Sequence, residues 1–316
     1  MTASARVDRE RIGRILTFWL RPAFVLRVLN RFQRIVGFDR AIALASSALT
    51  ALIPLAIIAG AFLSRGEAAG VADRIIARYG LTGGGAQAVK DVLSPAGGTS
   101  TDVSILGLFL LVVAVLSFAR GVQRLFEQTW ELKPLSVRNT LNDLIWIGGL
   151  VCYIGLSWFI HGLIGGGHAQ VLANLVVIPL TALFLGWSGR ILSAKRIEWR
   201  LLLPFAILGG ALAALCEIAA GVYLPHLFSS YASRFGVIGA VLAMISALFI
   251  LMVVLVATAA IGREVSVELD RIGSGERAPD DEVRREWDVF LDQARSRWQT
   301  LRDQIDRLRH RDGQPR

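Results

Sequence analysis

Six stretches of this chain, 17 to 27 residues long, contain no lysine or arginine and share a single acidic residue, Glu217. They run over 41–63, 103–119, 144–164, 171–189, 201–224 and 236–262. The hydrocarbon core of a bilayer is ~30 Å thick, and about 20 apolar residues cross it as a helix. Backbone N–H and C=O groups meet no water there, so each segment must satisfy them internally. Composition agrees: 54% of the 316 residues are hydrophobic and 19% are charged, against about 25% charged in a soluble domain. The mean hydropathy of +0.53 argues against a soluble enzyme. The predicted fold is all-α, a polytopic membrane protein with six transmembrane helices. Its second span is short but holds the near-continuous apolar run 105–116, and its fourth is punctuated by Asn174 and Pro179.

Orientation follows from the basic residues, because short loops rich in Lys and Arg stay in the cytoplasm. Segments 1–40, 120–143, 190–200 and 263–316 hold 29 of the 34 lysines and arginines, and the alternate connections hold five. Both termini are therefore predicted to be cytoplasmic. No short apolar stretch with a small-residue cleavage site precedes position 41, so the first span is expected to insert and remain. The net charge of +9 and the pI near 10.5 largely reflect arginines placed where topology wants them. They call for no nucleic-acid partner.

Two segments outside the spans are amphipathic. Between positions 11 and 36, Ile12, Ile15, Leu16, Trp19, Val28, Leu29, Phe32 and Ile35 fall at helical spacing among arginines, with Pro22 dividing the stretch. Such a basic helix suits the headgroup zone and anionic lipids of the cytoplasmic leaflet; packing on the bundle is the alternative. Within 280–311, Trp287, Leu291, Ala294, Trp298, Leu301, Ile305 and Leu308 alternate at spacings of four and three, a heptad seam of about three repeats. A seam this short is marginal alone, so it is expected to dock on the membrane domain or to pair with a second copy or a partner protein. The chain thus divides into a basic N-terminal segment (1–40), a membrane domain (41–262) and a cytoplasmic tail (263–316). Gly273-Ser274-Gly275 is expected to act as a hinge. In the loop after the first span, 67–79 and 86–93 are expected to form short helices.

Ionisable groups in or beside the spans are the candidates for function. A carboxylate within a span costs ~2.5–3.5 kcal/mol on insertion scales, and such groups face the bundle interior or a wet cavity. Gly209, Ala213, Glu217 and Gly221 recur every fourth residue, a small-residue stripe that lets helices approach closely. Glu217 is therefore expected to point into protein, ~10 Å below the outer end of the fifth span at 1.5 Å per residue. His161 lies near the outer end of the third span, and His226 and Arg234 lie in the connection after the fifth. These four form a candidate outer site for a proton, a cation or a charged headgroup; an interhelical hydrogen bond is the structural alternative. On the inner side, Arg120 closes the second span and Glu264 follows the sixth at matching depth, with Arg124, Arg263 and Glu268 nearby. Arg120 and Glu264 are a candidate ion pair that pins two helix ends, or a gate. Pro54 and Pro179 sit in the similar runs IPLA (53–56) and IPLT (178–181). They are candidate interrupted helices at equivalent points of two inverted three-span halves. Ser46, Ser47 and Thr50 are placed to re-satisfy the backbone that Pro54 frees, or to line a polar path.

The motifs GxxxxGK[ST], HExxH and GxSxG are missing. His161, His168, His226 and His310 are too scattered for a clustered metal site, so neither metal nor cofactor is predicted. Cys152 and Cys216 differ in depth by an amount on the order of 10 Å, which argues against a disulfide.

Three stretches, in order, carry a family resemblance: ASSALTALIPLAI (45–57), SFARGVQRLFEQTW (117–130), and 234–269, which opens RFGVIGA and closes GREVSVEL. Together they resemble the YihY/BrkB family of bacterial inner-membrane proteins, once labelled ribonuclease BN. Gly262 and Glu264 match that family's closing Gly-Ala-Glu-Leu-Asn-like run, whereas Arg263 stands where a small residue is usual and Ser266 replaces the Asn. The resemblance implies six helices, a multi-pass inner-membrane location and a transport-type or envelope-associated role. Some members are linked with envelope lipid or lipopolysaccharide handling. The nuclease label gains no support from these residues, because phosphodiester hydrolysis normally needs carboxylates or histidines holding metal ions. The expected function is a non-enzymatic transporter or gated conduit for an amphiphilic or charged small molecule. A non-transporting scaffold that recruits partners through its cytoplasmic helices is the rival, and a membrane-associated ribonuclease is disfavoured.

Overall fold

The computed structural model describes residues 22–62, 101–135, 140–164, 169–274 and 283–293, with isolated positions between them. The elements are α1 (Pro22–Arg34), α2 (Gly37–Phe62), α3 (Thr101–Thr129), α4 (Thr140–Ile164), α5 (Ala169–Leu192) and α6 (Trp199–Ser274), followed by a tail helix at 283–293. No strand occurs among the described residues, so the all-α class holds. Four helical segments are long and apolar enough to cross a bilayer: Gly107–Thr129, Thr140–Ser157, Trp199–Leu227 and Val241–Ser274. The number rises to five if Ala23–Arg34 and Gly37–Leu52 count as one broken span, and Val176–Leu192 is a shorter apolar helix. The exposed faces carry Phe109 and Val113 on α3, Val151 and Phe159 on α4, and Leu215, Ile218 and Val222 on α6. Soluble monomers rarely expose contiguous apolar patches beyond a few hundred Å². Against lipid tails the same surface carries no penalty.

The chain folds as two compact units, Gly37–Ser266 and a second that joins 1–36 with 267–316. In the second unit, Arg27 of α1 donates to Glu268 at 3.0 Å in a buried pair, and Arg271 stands 3.6 Å from the same carboxylate. The Asn30 side chain donates to the backbone carbonyl of Glu286 at 2.9 Å and to its carboxylate at 2.7 Å. The described part of the tail therefore docks on the N-terminal helix. Most of the heptad seam beyond 293, and residues 11–21 of the basic segment, lie outside the described residues. Pro22 opens α1, where its missing N–H costs no hydrogen bond. At the exposed start of the tail, a hydrogen bond from Arg285 holds the Asp281 carboxyl below the usual carboxylate range. The hinge expected at 273–275 is not a break at its first two residues: α6 stays helical through Gly273 and Ser274. A glycine weakens a helix by only about 1 kcal/mol, too little to end one that is otherwise well supported.

In the larger unit, α2 packs along α3 and α4 along α5, and α3 also touches α4 and α5. Helical backbone is found along the 76 residues of α6. As a straight rod it would hold residues 205 and 262 ~85 Å apart at 1.5 Å per residue. Yet a Cβ built on Gly262 lies 2.6 Å from the Cα of Phe205, and one on Gly209 lies 3.5 Å from the Thr258 side chain. Both pairs are symmetric about residues 233–234, so α6 doubles back there into two antiparallel arms. The residues of the connection expected as a loop at 225–235, His226 and Arg234 included, have helical backbone on either side of this reversal. The predicted small-residue stripe works over part of its length. Gly209 meets Leu185 of α5, and its neighbour Gly210 meets Ala182 and the Ile178 carbonyl, whereas Gly221 has nothing within 4 Å.

Polar clasps join α4 to α5. Trp146 Nε1 donates to Ser188 Oγ at 2.9 Å, and the Tyr153 hydroxyl pairs with that of Thr181 at 2.9 Å. Neither Pro54 nor Pro179 interrupts its helix. Pro54 leaves the Thr50 carbonyl without its N–H, but the Ser47 and Thr50 hydroxyls do not repair that gap. They donate one turn back, to the carbonyls of Ala43 and Ser46, the reach that a helical Ser or Thr rotamer allows.

At Gly262 the neighbouring atoms are backbone and cannot move aside. Gly262→Ala is expected to destabilise the purified protein by about 1–3 kcal/mol through overpacking, read as a lower thermal unfolding midpoint, while Gly221→Ala leaves the midpoint nearly unchanged. Equal midpoints for the two variants would mean that the arms of α6 do not cross at this point.

Candidate functional site

Helices α3 and α5 end by the same device. Beyond α3, Leu132 N donates to the Glu127 carbonyl at 2.7 Å, with Glu131 at φ 56°. Beyond α5, Lys195 N donates to the Arg190 carbonyl at 2.8 Å, with Ala194 at φ 53°. Both are six-to-one caps, and a side chain in this left-handed region costs about 1–2 kcal/mol. The buried Glu127 carboxylate holds the two ends in place. It accepts hydrogen bonds from Gln123 Nε2 (2.9 Å), Leu135 N (2.9 Å) and Arg196 (3.2 Å). Arg196 in turn donates to the carbonyls of Lys133 and Ser193. One acid thus ties together α3 and the connections that follow α3 and α5.

Beside this clasp lies a cavity of about 470 Å³. Its wall comes from Arg40 near the start of α2, from Arg120, Gln123, Arg124, Glu127 and Gln128 on α3, from the connection at 132–135, and from Thr140 and Asp143 at the start of α4. The α3 residues recur at three and four, so they share one helix face. Arg40, Arg120 and Asp143 each adjoin an uncharged stretch of the sequence, and Arg124 and Glu127 follow Arg120 along α3. Arg40 and Arg124 are near enough to repel each other, and among the described residues neither has a hydrogen-bond or ion-pair partner; the buried Nε of Arg40 is left without an acceptor. Arg120 is half exposed, with its Nε 3.9 Å from Asp143 Oδ2. Asp143 is 2% exposed, and among the described residues its Oδ1 accepts no hydrogen bond. Glu127 is matched by Arg196 and Asp143 by Arg120, which leaves two arginine charges in excess. The arrangement is suited to holding an anion.

Arg120 is the one predicted site residue in this cavity. Its partner is Asp143, not Glu264, which is buried on the second arm of α6. Counting helical rise matches depths, but it says nothing of which way each helix face turns. Of the four outer candidates, the structure describes the side chains of Glu217 and His226. Glu217 is half-buried. His226 is exposed, with its Nδ1 on the Val222 carbonyl of its own helix at 3.0 Å. His161 and Arg234 are helical, and their side chains lie outside the described residues. Sequence reasoning gave Asp143 and Glu127 no role, and counted Arg40 only among the basic residues that set topology. The available signal was the spacing 120, 124, 127, 128 inside the run 117–130, one of the three that carried the family resemblance. No three metal-ligating side chains gather among the described residues. Glu127→Ala is expected to lower the unfolding midpoint more than Arg196→Ala, since it strands several donors at about 1–3 kcal/mol per buried group, whereas Glu127 without Arg196 keeps two donors. Equal losses would mean that Glu127 is not the hub.

Over residues 28–285 the chain matches the family described as Virulence factor BrkB. Two curated relatives, both named as UPF0761 membrane proteins, come from Stenotrophomonas maltophilia strains R551-3 and K279a. Each is 25% identical over a 224-residue alignment that covers 64% of this chain and 51% of the relative. The chain thus spans about half the length of the curated relatives it matches. No solved structure matches it. A family match over most of the chain, on a helical fold with an apolar exterior, places this protein in the BrkB family of membrane proteins.

Proposed function

We propose that this chain is a six-span protein of a bacterial inner membrane, with both termini in the cytoplasm, that moves an anionic or amphiphilic small molecule through its helix bundle. The arginine-lined cavity is its inner vestibule. The observation that carries this reading is the pair Arg40 and Arg124, which line one cavity, repel each other and have no ion-pair partner among the described residues. Arg40 is half-buried and Arg124 exposed at the cavity, and an anion between them would relieve their mutual repulsion. The concentration of 29 of the 34 basic residues on one set of connections supports the orientation. In this reading Glu217, His161, His226 and Arg234 belong to the outer end of the path. The activity is passage without bond chemistry, it needs no cofactor, and the basic N-terminal segment rests against anionic headgroups. A scaffold role has one observation in its favour: Trp287 on the docked tail helix is 49% exposed and stacks on Phe290 at 5.7 Å, an aromatic surface open to a partner.

The test is flux. Protein reconstituted in liposomes is expected to release entrapped small anions faster than protein-free liposomes do. Loss of a charge-assisted contact worth about 1.5–3 kcal/mol corresponds to a fall of about tenfold or more in binding. Arg124→Gln should therefore slow the flux by that order at low substrate, and Glu217→Gln should slow it if the outer group lies on the path. Flux should survive deletion of 280–316. Absence of flux from the intact protein overturns the transport reading and favours the scaffold.

A further inference from the structure

Deepening the vestibule reading, on which it rests for the cavity's role, we infer that the anion held there is a phosphate-type oxyanion carrying its own hydroxyl, bound by Arg40 and Arg124 and recognised through Asp143.

Arg40 and Arg124 bring two positive charges to one wall, close enough to repel and without partners among the described residues. The planar guanidinium fork matches the oxygens of phosphate or carboxylate, and two such charges suit a compact anion of high charge. The discriminating feature is Asp143. It lines the same cavity, it is 2% exposed, and its Oδ1 has no donor among the described residues. A carboxylate facing an incoming anion repels it unless the anion brings a hydrogen to share. Hydrogenphosphate does so, and a phosphate monoester does so in its singly protonated form, since its second proton leaves near pH ≈ 6. Sulfate at neutral pH and phosphodiesters have no such hydrogen. Glu127, the other acid on the wall, already takes three donors, so it is not the acceptor that waits. A site built around a buried polar group rejects the analogue that leaves it unpaired far more strongly than an apolar pocket rejects a wrong shape.

The shared chemistry, a phosphoryl group with a free hydroxyl, has two sources: soluble phosphate, or the headgroup of a lipid phosphate monoester, which the cavity's place at the helix ends makes equally accessible. Full-length protein in phosphatidylcholine nanodiscs, whose lipid is a phosphodiester, would be titrated calorimetrically with inorganic phosphate and with sulfate near neutral pH at constant ionic strength. Phosphate is expected to bind at least about tenfold more tightly than sulfate. Asp143→Asn, whose amide donates, should erase or reverse that ratio, and Arg124→Gln should weaken both anions alike. Retention of phosphatidic acid over phosphatidylglycerol by the purified protein would assign the lipid source, and phosphate binding without such retention would assign the soluble one. Equal affinity for phosphate and sulfate in the unaltered protein overturns the inference, as does binding of neither phosphate nor phosphatidic acid, or a preference that survives Asp143→Asn. The central comparison needs no variant to fold. Flux without a phosphate preference sinks this inference alone, and a phosphate preference without flux sinks only the transport reading.

Discussion

Backbone polar groups that meet hydrocarbon must be satisfied within their own helix, and this requirement pushes most of the chemistry in the chain to the helix ends. Between those ends the side chains are apolar toward lipid and small toward neighbouring helices. The hydroxyls of Ser47, Thr50, Thr181 and Thr258 return to carbonyls one turn back along their own helices. At the ends the hydrogen-bond ladder runs out, and side chains take over. The six-to-one caps after α3 and α5 close the ladder with non-glycine residues in left-handed geometry, so the local conformation depends on the contacts that hold it there. Glu127 supplies those contacts for the α3 end and reaches the α5 end through Arg196.

Two acids on one cavity wall show how neighbours rather than residue type set a role. Glu127 is surrounded by donors and acts as a staple. Asp143 is as deeply buried, yet among the described residues one of its oxygens accepts nothing and the other has Arg120 only at 3.9 Å. Buried polar groups in folded proteins are nearly always hydrogen-bonded, so Asp143 Oδ1 and Arg40 Nε, both open among the described residues, are exceptions that share this one wall. The same contrast separates Arg196, which is spent on Glu127 and two carbonyls, from Arg40 and Arg124.

Close approach of the helices rests on a few glycines, and they let the two arms of α6 lie side by side. Gly262 lets the second arm lie on the backbone of the first at Phe205, and Gly209 and Gly210 let the first lie on α5. Gly209 was legible beforehand, as part of a four-residue repeat of small side chains. Gly221 belongs to the same repeat but meets nothing, because periodicity identifies a face of a helix without saying how far along it the neighbour extends. Pro54 and Pro179 leave their helices continuous, because a helix packed on its neighbours can carry one missing N–H without breaking.

What the amino-acid order settled alone is the part of the problem governed by solvent. Long uncharged stretches specify helices in lipid, basic residues cluster in the connections, and three short runs point to the BrkB family. The cavity was out of reach. Arg40, Arg120, Arg124 and Asp143 come from three helices, and each reads singly as an ordinary charge flanking an apolar segment. Only the packing of α2 on α3, together with the way α4 starts beside them, decides that these charges face one another rather than water. That depends on the rotation of each helix about its own axis, which interhelical contacts set and hydropathy does not record.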